Sequence, residues 1–252
     1  SCDDLPYGEG GHSWLEMGYW WLELGGEHDS IADTERLRDE LLRVVYGVWD
    51  HIKNHCRDRE KADRWALEWI QFLPGKRESR RYVGEHMLNQ NDVESEGRFE
   101  DIVAYGGWSM DDHHPAGFRA KALGEKATIF HHAPSPYGIP YRCLYSGNIR
   151  NLYFAGRCHS ATHAAMSSTR VAGTGASMGQ AVGTAAAMAA GLGVDPRDLK
   201  GHMGELQQTL LRDDCYLPWT PLQMSKVTES AKLTASHGDP EPLRDGIARQ
   251  VG

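Results

Sequence analysis

Asn151-Leu-Tyr-Phe-Ala-Gly156 is a short apolar run that ends in glycine, and further along the chain the residues from Gly175 to Gly191 are mostly Ala, Gly and Met. The first pattern is typical of a buried strand. The second predicts a helix, because alanine is the strongest helix former and outweighs Gly179 and Gly183. The small side chains leave a smooth helix face that another strand or helix can approach closely. Together the two segments predict a mixed α/β fold.

The segment before the helix, Ser167-Ser-Thr-Arg-Val-Ala-Gly-Thr-Gly-Ala-Ser177, runs directly into it. A helix amino terminus presents unpaired N–H groups and about half a positive charge. Gly173 and Gly175 allow a ligand to come within hydrogen-bond distance of this backbone, and Arg170 adds a permanent charge with a donor fork. These residues favour the binding of an anionic group. The alternative is a helix whose small residues serve packing alone.

A complete dinucleotide fingerprint does not occur in the sequence. Gly173-x-Gly175-x-x-x-Gly179 comes near to it, but the fingerprint belongs in the tight turn directly after a strand. The candidate strand ends well upstream, at Gly156. A phosphate loop of the G-x-x-x-x-G-K-[ST] type is also missing from the sequence. A nicotinamide-dependent reductase is therefore disfavoured.

Two segments nearer the amino end have apolar residues at three- and four-residue spacing. Leu37 to Ile52 and Ala62 to Leu73 each predict an amphipathic helix, and Asp33 or Thr34 can cap the first. From residue 76 to 140 the chain is polar and rich in Gly, His and Asp, which indicates loops and short strands over a cleft. Further predicted elements are strands at Gly18–Gly25 and Asp101–Tyr105 and a helix at Leu199–Leu211.

The composition excludes several classes of protein. The net charge of −8 argues against nucleic acid as a partner, because phosphate binding needs a basic face. No apolar run reaches about 18 residues, so no membrane span is predicted. The five cysteines contain no C-x-x-C pair, which disfavours a zinc site and favours the cytoplasm. Ser1 does not look like a natural start, and this leaves room for a signal peptide upstream.

Several motifs, in order along the chain, resemble the FAD-dependent oxidoreductase family, which is related to the succinate dehydrogenase and fumarate reductase flavoproteins. The resemblance covers roughly residues 15 to 217. It implies FAD as the cofactor and hydride transfer between a small organic substrate and N5 of the flavin. The motifs are Pro74-Gly-Lys-Arg-Glu-Ser-Arg-Arg81, Ile139-Pro-Tyr-Arg142, Asn151 to His163, Ser168-Thr-Arg-Val171 and Gly179-Gln-Ala-Val-Gly-Thr-Ala-Ala-Ala187.

The resemblance also implies a domain organisation. In this family the last strand and the last helix of the Rossmann-like FAD-binding domain come from the C-terminal part of the chain, and a substrate domain is inserted before them. Residues 1–142 would then be mainly substrate domain, and residues 143–193 the C-terminal part of the FAD-binding domain. Residues 194–217 would be a packing helix, and residues 218–252 a tail that resembles the opening of a truncated β-sandwich domain.

Carried over to this sequence, the resemblance implies a set of cofactor-binding residues. Gly156 and Arg157 would lie near the ribose and the pyrophosphate. The isoalloxazine ring would face Arg170 and the backbone of Gly173, Thr174, Gly175, Ala176 and Ser177.

The G-x-G-x-x-G half that holds the ADP end is absent from the sequence. The N-terminal half of the FAD-binding domain is therefore expected in a missing segment of the same gene product or in a partner chain. The alternative is a catalytically inert fragment, or a half-site binding module that needs such a partner.

Hydride transfer also needs a proton carrier, which near neutral pH is usually histidine. His113, His114, His159 and His163 are available, and we take His163 and His114 as catalytic candidates beside Arg170. His163 and Arg170 are spaced differently from the His and Arg of the fumarate reductases, so the roles of those residues cannot be copied.

The predicted substrate-binding residues are Arg77, Arg80, His113 and Arg142. The arginines near Arg77 suit a carboxylate or a pyrophosphate, and the alternative for them is a salt-bridged surface turn. No metal site is predicted, because adjacent histidines such as His113 and His114 point to opposite faces of a strand.

Overall fold

A computed structural model describes residue 5 and residues 19–77 and 80–247 of the chain. The chain divides into two compact units, which we call unit 1 (Ser1–Ser79 and Asp111–Phe130) and unit 2 (Arg80–Met110 and His131–Gly252). Helices and small two-stranded sheets among the described residues confirm the predicted mixed α/β class. The Rossmann-like arrangement and the predicted domain boundaries stay predictions.

The main element of unit 1 is helix α1, Thr34–Asp50, which confirms the helix predicted over this stretch. It buries Leu37 and Val48 and continues into a π-helical turn, His51–His55. Asp33 occupies the N-cap position, but its side chain makes no capping hydrogen bond. The preceding turn is closed instead by the carboxylate of Asp29, which accepts hydrogen bonds from the backbone N–H groups of residues 31 and 32.

The core of unit 1 forms where Trp21 packs with Val48, Ile52 and Ala62, and the ring of Trp21 stacks on that of Phe118. Strands β2, Met110–His113, and β3, Thr128–His131, pair with each other. A 3-10 helix, Gly117–Leu123, lies between them in sequence.

The helix predicted from Ala62 to Leu73 is wrong. A 3-10 turn, Arg59–Ala62, ends there, and the chain from residue 65 to residue 71 has no regular structure. The ammonium of Lys53 donates hydrogen bonds to the carbonyl oxygens of Ala62, Asp63 and Trp65. These are the acceptors that a continuing helix would need for its own amides, and most of the apolar stripe stays exposed instead of packing.

The strand predicted from Gly18 to Gly25 is also wrong over its described part, residues 19–25. A turn in which the N–H of Leu22 donates to the carbonyl of Tyr19 interrupts it. Trp21 is buried and Trp20 is half exposed, but no ladder forms along residues 19–25. Alternation gives a strand only where a neighbouring strand supplies hydrogen-bond partners.

Unit 2 is built around an antiparallel pair of strands, β1 (Ile102–Gly106) and β4 (Tyr137–Pro140). Strand β1 confirms the prediction at Asp101–Tyr105. In the register of this pair, Gly106 lies opposite Tyr137, and a Cβ on Gly106 would come within 2.3 Å of the tyrosine ring. Glycine at this position therefore lets the two strands pair over a buried aromatic side chain.

Among its described residues, unit 2 also contains five α-helices. The short helix α2 begins with a capping box formed by Asn89 and Asp92. Helix α5, preceded by a 3-10 turn, confirms the helix predicted at Leu199–Leu211. Residues 218–247 of the tail contain the short helix α6 and, in this described part, no strand. The helices are α2 (Gln90–Glu94), α3 (His163–Thr169), α4 (Ala172–Leu192), α5 (Met203–Arg212) and α6 (Lys226–Ser230).

Helix α4 confirms the predicted alanine-rich helix. One face of it is buried in the core of unit 2, while Gly179, Gly183 and Ala187 lie exposed on another face. Among the described residues, no helix is long and apolar enough to cross a membrane.

The strand predicted from Asn151 to Gly156 is wrong. Only Tyr153 makes a β-bridge, with Tyr145, and the chain then turns into a 3-10 helix, Gly156–Cys158. Gly156 has φ = +63°, a left-handed conformation that ends extended structure. The pairing with the segment around Tyr145 lasts for a single bridge before this turn, so no strand forms along the apolar run.

Candidate functional site

The amino end of α4 lies directly behind α3 in sequence. Helix α3 ends at Thr169, Arg170 is its C-cap, and Val171 is already the N-cap of α4. The side chain of this N-cap residue, Val171, accepts no hydrogen bond from the first turn of α4. The first N–H groups of a helix have no acceptor within the helix, so this end is suited to an external hydrogen-bond acceptor.

Two glycines meet in front of this helix end. A Cβ built on Gly175 would lie 3.6 Å from the Cα of Gly156, and no atom lies within 4 Å of a Cβ built on Gly173. A larger side chain at residue 175 would meet the backbone of Gly156, so the two glycines allow the 3-10 turn to lie directly against the first turn of α4. The structure therefore brings together Gly156, Gly173 and Gly175, which the sequence predicted as parts of one site.

The remaining predicted cofactor residues differ in exposure. Arg170 is half-buried, and its Nε donates to the carbonyl oxygen of Ser167 over 3.3 Å. Thr174 is buried and its carbonyl accepts from the hydroxyl of Ser177, whereas Arg157 and Ala176 are exposed. The backbone of residues 173–177 forms the first turns of α4, so its amides are fixed by the helix itself.

A buried histidine, His159, contacts the backbone of Gly156. The carbonyl of Gly156 accepts two hydrogen bonds from His159, one from its backbone N–H at 3.2 Å and one from ring Nδ1 at 2.6 Å. Ring Nε2 is 3.1 Å from the hydroxyl of Thr169, the last residue of α3. Burial lowers the pKa of His159, and the positive charge of Arg81 acts in the same direction.

A family model described as FAD dependent oxidoreductase matches residues 8–210, more than half of the chain. The chain belongs to this family. The family binds FAD, and membership indicates a flavin-dependent redox role for this FAD dependent oxidoreductase. A comparison with curated proteins gave no match, and a comparison with solved structures also gave none.

The residues at the amino end of α4 fit a flavin. No atom outside the helix backbone lies within 4 Å of a Cβ built on Gly173, which leaves room for a flat group beside the first turn of the helix. The helix amides offer donors for carbonyl or anionic oxygen atoms, and Arg170 adds positive charge at the same end.

A second polar cluster lies in unit 1 around Glu23. Its carboxylate accepts from Nδ1 of His113 at 2.5 Å and from Nη1 of Arg77 at 3.1 Å. The structure therefore brings together two predicted substrate-binding residues, Arg77 and His113. The residue that joins them, Glu23, was missed. A carboxylate inside the aromatic run from Tyr19 to Leu24 was the signal that could have found it, because such a group needs a partner when it is partly buried.

Two further side chains complete the surroundings of His113. Its Nε2 lies 3.5 Å from the carboxylate of Asp111, and its ring lies 5.4 Å from that of Trp20. The hydrogen bond to Glu23 raises the pKa of His113, and this rise is opposed by partial burial and by the charge of Arg77. These surroundings therefore favour the protonated form of the His113 ring.

The other predicted residues lie apart from these clusters. His163 is exposed at the first position of α3, and Nδ1 of His114 accepts from the N–H of Ala116. Arg80 is exposed. The guanidinium and backbone N–H of Arg142 all donate to the carboxylate of Asp101, which engages the donor fork expected to bind substrate. Within the described residues, no group of three His, Cys, Asp or Glu side chains is arranged to hold a metal ion.

Proposed function

We propose that this chain takes part in hydride transfer between a small organic substrate and N5 of FAD, with the flavin ring at the amino end of α4. The observation that carries the proposal is the open space beside Gly173, in front of helix amides without a side-chain cap. When bound, the flavin supplies the redox chemistry, and the protein supplies position and charge.

The amino end of α4 would stabilise negative charge. Reduction of a flavin places negative charge around N1 and the C2 carbonyl oxygen. Amide N–H groups of residues 172–174 and the guanidinium of Arg170 would act on that charge from a fixed position, whereas the amide of Gly175 already donates to the carbonyl of Val171. These groups would therefore favour the reduced form over the oxidised form.

A proton must also be transferred in this reaction, and we propose an exposed histidine as its carrier. His163 lies at the start of α3, in the unit that contains the helix end, and its exposure allows exchange with solvent. His114 is the other candidate, although the hydrogen bond from Ala116 engages its Nδ1. In unit 1, Arg77 and His113 are proposed to bind a polar group of the substrate.

A second candidate function is a half-site module that binds FAD only with a partner segment carrying G-x-G-x-x-G. The exposed small residues Gly179, Gly183 and Ala187 on α4 favour it, since they would allow a strand or helix to pack closely. Titration of the chain with FAD, followed by the visible flavin band and flavin fluorescence, separates the two functions. Uptake by the isolated chain supports the first, and a colourless protein that takes up no FAD supports the second.

Replacement of Arg170 tests the flavin placement. We expect Arg170→Ala to weaken FAD binding about tenfold, the equivalent of one charge-assisted hydrogen bond. It should also lower the two-electron midpoint potential, by about 30 mV for each tenfold difference in affinity between the two redox forms. Arg170→Lys, which keeps the charge, should lie in between.

Arg212→Ala, at the exposed last turn of α5, is the matched control and should change neither quantity. An Arg170→Ala protein with unchanged FAD affinity and unchanged potential would remove Arg170 from the site.

A further inference from the structure

We infer that His159 is a positioning residue that holds the Gly156 turn and the end of α3 in the arrangement needed to bind FAD. The inference rests on the proposed flavin site, and it assigns to a residue outside that site the task of keeping its two sides together. The geometry behind it is a chain of hydrogen bonds from the carbonyl of Gly156, through the imidazole ring, to the hydroxyl of Thr169.

The first half of this chain fixes the 3-10 turn. A carbonyl oxygen only accepts hydrogen bonds, so Nδ1 of His159 must carry the hydrogen toward Gly156. The backbone N–H of His159 donates to the same oxygen. Two donors from one residue therefore hold the carbonyl of a glycine that adopts a left-handed conformation.

The second half fixes the segment that leads into α4. Burial favours the neutral ring, and with the hydrogen on Nδ1 the other ring nitrogen, Nε2, has a free lone pair. The hydroxyl of Thr169 then shares its single hydrogen between Nε2 at 3.1 Å and the carbonyl oxygen of Ala165 at 3.2 Å. Thr169 is followed directly by Arg170 and by the N-cap of α4, so a displacement of Thr169 would be passed to both.

Burial makes the arrangement costly to disturb. His159 and Thr169 are both fully buried, so a lost partner cannot be replaced by bulk water. The Gly156 turn also lies directly against α4, because a Cβ on Gly175 would touch the Cα of Gly156 at 3.6 Å. A displacement of the turn would therefore disturb the first turn of α4.

Three substitutions separate the two hydrogen bonds. His159→Leu removes both side-chain hydrogen bonds of His159 and puts an apolar side chain of similar size in its place. Thr169→Val removes the hydroxyl, and with it the contacts to Nε2 of His159 and to the carbonyl of Ala165, while the bond from Nδ1 to Gly156 stays. His159→Asn offers an amide nitrogen at about the distance of Nδ1 and so retains a donor toward Gly156. Ser160→Ala is the matched control, because Ser160 is equally buried next to His159 and its hydroxyl has no hydrogen-bond partner among the described residues.

The first measurement is amide hydrogen exchange in the peptides that contain residues 156–160 and 169–175, which needs no cofactor. We expect His159→Leu to speed exchange in both peptides, Thr169→Val to speed it mainly in the second, and Ser160→Ala to leave both unchanged. Unchanged exchange in His159→Leu would overturn the inference. Should His159→Leu fail to fold, Thr169→Val and His159→Asn decide the question.

The second measurement is the dissociation constant for FAD, from the quenching of flavin fluorescence. We expect about a tenfold loss of affinity in His159→Leu and about threefold in Thr169→Val, with partial recovery in His159→Asn. Wild-type affinity in a His159→Leu protein with faster exchange would overturn the link to FAD. If the wild-type chain binds no FAD, the proposed function fails for this chain, while the exchange data still test the hydrogen-bond chain.

Discussion

His113 in unit 1 and His159 in unit 2 are the same side chain in opposite surroundings. His113 is partly exposed and lies against the carboxylates of Glu23 and Asp111, so its charged form is stabilised and its pKa rises. His159 is fully buried between a carbonyl and a hydroxyl, so its neutral form is stabilised and its pKa falls. The chemistry of a histidine is set by what surrounds the ring, and neither shift follows from the residues next to it in sequence.

The difference separates two kinds of task. A histidine beside carboxylates can hold or release a proton and bind a polar ligand, which suits the proposed role of His113. A neutral buried histidine has one donor and one acceptor in fixed directions, which suits the positioning role inferred for His159. Three experiments test this contrast, each with one residue as the reference for the other.

The largest expected effect is on stability. His159→Ala should lower the free energy of unfolding by about 2–4 kcal/mol, because it leaves a cavity and removes one hydrogen bond each from the carbonyl of Gly156 and the hydroxyl of Thr169. His113→Ala should cost about 1 kcal/mol, because solvent can replace its partners. Urea unfolding of the two variants beside the wild type measures both. If the two substitutions cost the same, burial would not make His159 contribute more to stability than His113.

A smaller effect with opposite signs is expected on changing pH. The unfolded chain protonates its histidines near pH 6.5, so the stability contributed by His159 is present above about pH 6.5 and is lost as the pH falls below it. The contribution of His113 is present below about pH 6.5 and is lost as the pH rises through its raised folded-state pKa. Charged groups near the two rings are Arg81 for His159, and Glu23, Arg77 and Asp111 for His113.

The cost of each alanine substitution, measured between pH 5 and 8, gives these signs directly. The cost of His159→Ala should shrink toward acid pH, and that of His113→Ala should shrink toward alkaline pH. If both costs changed in the same direction, the opposite charge preferences of the two rings would be refuted.

The smallest expected effects are on the pKa of His113 itself. Glu23→Gln should lower this pKa, because it removes the negative partner, and Arg77→Met should raise it, because it removes a nearby positive charge. Neither change should cost more than about 1 kcal/mol in stability at these partly exposed positions. Titration of the ring proton signals by NMR reports each pKa, with His159 as the internal reference that should not move. A His113 pKa that ignores both substitutions would show that Glu23 does not hold the ring.

Helices were predicted well where their own sequence was sufficient. The alanine-rich segment of α4 and the stripe of α1 formed as expected, since both have strong local preference and a core that receives one face. The stripe from Ala62 to Leu73 had the same spacing and did not become a helix. In this stretch Lys53, which lies 9 to 12 positions earlier in the chain, binds the carbonyls that the helix would have used.

Strands were predicted less well, because a strand depends on a partner that local sequence does not name. Asp101–Tyr105 found one in β4, whereas the runs at Gly18–Gly25 and Asn151–Gly156 did not form strands in their described parts. The candidate site divides in the same way. Gly156, Gly173 and Gly175 were identified from their motifs, and Glu23 and Thr169 were not.

The sequence by itself determined the family, the helix with its glycine-rich amino end, and the charged and small residues available for chemistry. These depend on residue type and on spacing over a few positions, both of which are present in the sequence itself. Only the tertiary structure decided which of these residues meet. Glu23 and His113 are 90 positions apart, and the ring of His159 bonds to a residue ten positions away at the end of another helix. Burial and partner choice arise from packing, and it is packing that gives two identical side chains opposite protonation preferences.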